Sequence, residues 1–179
     1  MHSIWTRANA VFAFTLSVLA AMTFAAFLTT AFNDNIAPVV IKSSNAQVKN
    51  VPNYSANRAK NDLASLNFDI QVDVSPVFNW NVKQLFLYLV AEYSTPLNPL
   101  NQVVLWDKII LRGDSPVVDV SSANPKYYFW DDGNGLLGND NVTLVLRWNV
   151  IPNAGYLPLV QASGSHTVRF PSNYITGKF

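Results

Sequence analysis

The sequence predicts an all-β protein: an antiparallel β-sandwich luminal domain preceded by one N-terminal transmembrane helix. Three observations predict it. A long uncharged apolar run opens the chain. The segments beyond it alternate apolar and polar residues with a period of two. Dense turn signals separate those segments, and no convincing helix follows the first.

The apolar run comes first. No charged side chain lies between Arg7 and Asp34, and the densest part, Ala10–Leu28, is interrupted only by Thr15, Ser17 and Thr23. As a helix this stretch rises about 28 Å at ~1.5 Å per residue, matching a hydrocarbon core of about 30 Å. The three hydroxyls can bond back to the helix backbone. A cleaved signal peptide has an apolar region of only ~7–15 residues ahead of a small-residue site, and Thr29-Thr30-Ala31 is a weak site. The expected element is therefore an uncleaved signal anchor over residues 10–32, with Trp5 and Phe32 at the two interfaces. Arg7 and the α-amino group precede the span, and Asp34 is the first charge after it. The positive-inside rule then makes residues 1–9 a cytosolic tail and puts the domain, residues 33–179, on the luminal side.

The strands follow in order. Val39–Val48 is a weak candidate within residues 33–64, which otherwise read as polar and linker-like around Pro52, Asn53 and Asn57–Asp62. Leu66–Val74 alternates perfectly, with five apolar residues on one face and four polar on the other. Val82–Tyr93 is rich in β-branched and aromatic residues, although its length and its Leu85/Leu89 spacing also allow a helix. Val103–Leu111, Lys126–Trp130 and Val142–Val150 are further strands, and Thr167–Phe170 is a weak last one. Turn signals fall at Thr95–Pro99, Arg112–Pro116, Asp131–Gly135, Pro152–Gly155 and Ala162–Gly164. Phe68, Ile70, Trp106 and Trp148 are expected in the core. Trp80, between Asn79 and Asn81, is expected at an edge or interface.

Composition removes several functions. Apolar residues make up 50% of the 179 and charged residues 13%, with a formal net charge of +1 and no Lys/Arg run, so no footprint for nucleic acid exists. The chain has no cysteine, which excludes disulfides and thiolate chemistry. The two histidines are His2, on the cytosolic side, and His166, in Ser163-Gly164-Ser165-His166, where no nucleophile elbow exists; His166 is expected on the surface near a terminal strand. Glu92 is the single Glu and sits beside Tyr93 at a strand end, as a solvated charge would. Asp131-Asp132-Gly133-Asn134 offers oxygen ligands, but it lacks the twelve-residue calcium-loop spacing and its closing Glu; a tight turn is expected. No catalytic residue, metal site or cofactor is assigned.

Two sequons support the luminal assignment: Asn141-Val142-Thr143 and Asn53-Tyr54-Ser55. In Val142–Val150 the even positions are apolar and face the core. Asn141, Thr143, Arg147 and Asn149 point outward, with Val145 the exception. Asn141 is the expected glycosylation site and Asn53 the second candidate.

Longer strings carry a resemblance. Asn79–Tyr88 (NWNVKQLFLY), Leu100–Asp114 (LNQVVLWDKIILRGD), Lys126–Leu136 (KYYFWDDGNGL) and Asn141–Gly155 (NVTLVLRWNVIPNAG) look like the signal peptidase complex subunit 3 family, the glycosylated accessory subunit of the eukaryotic ER signal peptidase. Arg7-Ala8-Asn9 before the apolar span is also similar. The segments 33–46, 117–124 and 172–179 differ from the family, and nothing is carried onto them. The resemblance implies a single-pass type II protein of the ER membrane, glycosylated at Asn141. It further implies a role without chemistry, in support of a catalytic serine subunit and alongside two small membrane subunits. Two other classes compete: a luminal or cell-surface binding module on a type II anchor, and a small carbohydrate-active enzyme, for which no acid pair is found.

Overall fold

The computed structural model describes residues 3–54 and 60–177. Helix α1 (Ile4–Thr30) is capped by Ser3, whose hydroxyl accepts from the Thr6 amide at 3.2 Å. It starts earlier than the expected span at residue 10 and ends before residue 32, so most of the expected tail is helical. None of its side chains is fully buried, only its last turns touch the domain, and it is long and apolar enough to cross a membrane. Its interior hydroxyls bond backwards as expected: Thr15 to the Val11 carbonyl at 2.9 Å, Ser17 to Ala13 at 3.0 Å, and Thr23 to Leu19 at 2.8 Å. No polar side-chain group in the middle of the helix is left for lipid to solvate.

Eight strands follow: β1 (Val39–Val51), β2 (Asn61–Asp73), β3 (Val82–Tyr93), β4 (Asn101–Leu111), β5 (Val117–Ala123), β6 (Phe129–Trp130), β7 (Val142–Pro152) and β8 (Leu159–Val168), with a short 3-10 turn at Ser75–Val77. They form two antiparallel sheets. One has the order β1-β2-β5, with β6 also paired to β2; the other has the order β4-β3-β7-β8. The inner faces are the alternate apolar positions: Leu66, Phe68 and Ile70 of β2 against Leu85, Leu87 and Leu89 of β3 and Leu144, Leu146 and Trp148 of β7, all buried. The period-two burial of β3 and its pairing on both sides settle its strand identity against the helical spacing of Leu85 and Leu89.

The differences from expectation have local causes. Residues 33–64, read as linker-like, hold all of β1 and the start of β2, and Asp62 within them is fully buried. Residues 126–128 are not strand, because the Lys126 and Tyr127 amides bond the Leu105 carbonyl, carrying the chain past β4 between β5 and β6, which both pair with β2. The segment 117–123, where no strand is expected from the sequence, is the edge strand β5. The Ala162–Gly164 turn signal lies inside β8, not between strands. Gly164, at φ +140°, lets β8 close onto Val39 of β1, where the Ser163 amide bonds the Ala37 carbonyl at 3.0 Å. That contact joins the two sheets along one edge.

Candidate functional site

The helix ends against the domain, and Asn81 makes the joint. Its side-chain amide donates to the Thr30 hydroxyl at 2.9 Å and to the Ala154 carbonyl at 2.8 Å, and its carbonyl accepts from the Ala154 amide at 3.0 Å. One buried side chain thus ties the last turn of α1 to the start of β3 and to the β7–β8 turn. The Phe27 ring meets Tyr156 edge-on, with centroids 6.1 Å apart. Gly155 has φ +123°, and a Cβ there would stand 2.7 Å from the Phe27 ring. Only glycine serves both the turn and the close approach of the helix. The Trp148 indole N–H donates to the Asn35 carbonyl at 3.0 Å, which pins the chain leaving the helix. Sequence reasoning missed this joint, since Thr30, Asn81 and Gly155 belong to no periodic pattern.

His166 is not the bare surface residue expected. It is half-buried, and its Nε2 lies 2.9 Å from the Ser43 hydroxyl across the β1–β8 edge. Among the described residues, no carboxylate hydrogen-bonds either partner. The pair lacks the third group that orients a catalytic imidazole and reads as a staple between sheets. His2 lies outside the described residues. Glu92 is not simply solvated, because it pairs with Arg147 at 2.6 Å and accepts from Gln102 at 2.7 Å.

The Asp131–Gly135 turn is held from within. Asp131 is buried, and its carboxyl accepts from the Tyr93 hydroxyl at 2.7 Å and the Gly135 amide at 2.8 Å. Asp62 accepts from the amides of Leu136 and Leu137 at 3.2 and 3.0 Å, and from the Tyr174 hydroxyl at 2.9 Å. These carboxyls point at backbone donors and clamp the loop. Burial pushes the Tyr93 hydroxyl far above its ordinary pKa of 10.0, with its hydrogen bond to Asp131 adding to the effect.

The core residues are where they were expected: Phe68, Ile70, Trp106 and Trp148 are buried, and Phe68 packs edge-on against Trp106 at 6.2 Å. Trp80 is exposed beside the helix joint. Asn141 is exposed at the start of β7, at the end of the sandwich opposite α1. Asn53 is half-buried, and its amide donates to Asn61 at 3.4 Å; Ser55 of its sequon lies outside the described residues. The outer face of the β4-β3-β7-β8 sheet carries an apolar band of Phe86, Tyr88, Val104, Ile109, Leu111 and Tyr127. A contiguous band of this kind is typical of a protein contact surface.

These features define a class: a two-sheet β-sandwich held on a single apolar helix by a hydrogen-bonded joint. A profile of the signal peptidase subunit family matches residues 1–173. The chain is 60% identical to signal peptidase complex subunit 3 of Drosophila melanogaster over 98% of both chains. It is 57% identical to that of Gallus gallus over 99% of both, and 56% identical to that of Homo sapiens over 97% of both. The chain belongs to the signal peptidase subunit family.

Proposed function

We propose that the chain is a non-catalytic accessory subunit of the ER signal peptidase complex. In this reading α1 is a type II anchor, the sandwich lies in the lumen, and the protein positions and stabilises the catalytic serine subunit at the membrane surface for removal of signal peptides. Its partners are that subunit, the two small membrane subunits of the complex and the bilayer. The family supports the assembly. The observation that carries the mechanism is the Asn81 joint: a helix fixed in the bilayer and bonded to the sandwich sets the height and tilt of the domain. A signal peptide is cut where its apolar region ends, so a subunit that fixes height contributes by preorganisation without making bonds. The apolar band on the outer sheet suits a protein partner.

Depletion of the protein should leave preproteins uncut. In the reconstituted complex, Ser43→Ala and His166→Ala should leave cleavage near normal, because they break a staple between strands and not a proton relay. A rate loss of ~10²-fold or more in His166→Ala, the scale of a lost general base, with the complex still assembled, would overturn the non-catalytic assignment.

A further inference from the structure

We infer that the β7–β8 turn, together with Trp80 and the chain leaving α1, is seated in the headgroup-to-acyl boundary of the bilayer that α1 crosses. The domain then makes a second, peripheral contact with the lipid surface. This rests only on α1 spanning the membrane and is independent of any role in proteolysis.

Depth is the first argument. Measured from Arg7, a hydrocarbon core of about 30 Å is crossed in roughly 20 helical residues at ~1.5 Å each. Its far edge therefore falls near Phe27, and any tilt moves it further along the helix. Tyr156 packs on Phe27, and a Cβ on Gly155 would collide with the Phe27 ring. The turn therefore sits level with the last turn of the helix and not above it.

The surface there has the right chemistry. Phe32, Ile36, Trp80, Tyr156, Leu157 and Leu159 are each more than half exposed and surround the helix exit. Aromatic residues with a polar edge belong at the membrane interface. The three segments that meet here, residues 35–41, 74–82 and 148–165, contain no charged side chain. Their polar backbone groups are also well satisfied. The Asn153 amide bonds the Asn81 carbonyl at 2.7 Å, the Ala154 amide bonds the Asn81 side chain at 3.0 Å, and the Val150 amide bonds the Pro158 carbonyl at 3.1 Å. Pro152 and Pro158 have no amide hydrogen to desolvate. Asp34 and Arg112 are nearby charges, and they limit the insertion to headgroup level; Arg112 donates to the Asn79 and Val82 carbonyls.

The absence of cysteine makes the test clean. Single cysteines replace Leu157, Trp80, Leu19 in α1, and Leu97 in the exposed far-end loop, one per protein. Each full-length protein carries an environment-sensitive fluorophore in phosphatidylcholine vesicles. Nitroxide on the lipid chains and iodide in the water are the two quenchers. The labels at 157 and 80 should be quenched by lipid nitroxide, as the label at 19 is, and should lose the iodide quenching shown at 97. Iodide quenching at 157 and 80 equal to that at 97 would overturn the inference. Protection from both quenchers would indicate protein contact and would also overturn it. A label at 19 that failed to meet lipid would remove the anchor and the inference with it.

Discussion

Trp148 serves the core and the helix joint together. Its ring is fully buried between the sheets, and its indole N–H holds the Asn35 carbonyl just after the helix. Trp→Ala in such a core costs ~3–5 kcal/mol, a large share of the ~5–15 kcal/mol that holds a domain together. Trp148→Ala should lower the unfolding temperature of the detergent-solubilised protein by roughly 6–20 °C, at about 2–4 °C per kcal/mol for a domain of this size. An unchanged transition would place Trp148 outside the core. Residues of this kind are legible in the sequence because alternation assigns them a face. Asn81 and the Ser43–His166 pair are not, because their meaning lies in partners far along the chain; Ser43 and His166 are 123 residues apart.

At the scale of elements, the loop after β6 is held by two buried carboxyls, each bonded by a phenol, Tyr93 on Asp131 and Tyr174 on Asp62. Tyr93, at the end of β3, donates to Asp131, and burial with that bond holds its pKa above 10.0. The folded state therefore favours the neutral phenol. Its contribution to stability is complete below the unfolded value near 10 and is lost as pH rises beyond it, because there the unfolded chain releases a proton that the folded chain retains. Urea unfolding at rising pH should show stability falling above about pH 10. Tyr93→Phe should show a shallower fall, on a baseline lowered by the ~1–3 kcal/mol of leaving a buried acceptor unmatched. Equal slopes in the two proteins would sink this assignment. The legibility of elements follows the same physics of faces. β2, β3 and β7 are central strands whose alternation or β-rich composition marks them. β5 is a short edge strand whose Ser121 and Ser122 resemble loop, and Ser122 takes a positive φ of 49°. Gly164 resembles a turn residue in the sequence, whereas in β8 it is required by the approach of β1.

At the scale of the whole molecule, the two ends of the sandwich differ. One end bears the helix, the charge-free segments and the exposed Phe32, Trp80 and Tyr156. The other bears Asn141, the Asp62–Asp131 clamp and the loop at Leu97. From Asn141 to Pro152, β7 covers about 36 Å at ~3.3 Å per residue. In the proposed topology, Asn141 therefore stands well clear of the bilayer, on an exposed strand start where a glycan meets neither core nor lipid. Asn53 lies near the same end, but its side-chain amide, the atom a glycan would join, is half-buried and donates to Asn61. Treatment of the cellular protein with a peptide-N-glycosidase should increase its gel mobility. Asn141→Gln should abolish most of that shift, and Asn53→Gln should change it little. No shift in the wild type, together with protease access to the domain in intact microsomes, would reverse the topology and place the sandwich in the cytosol.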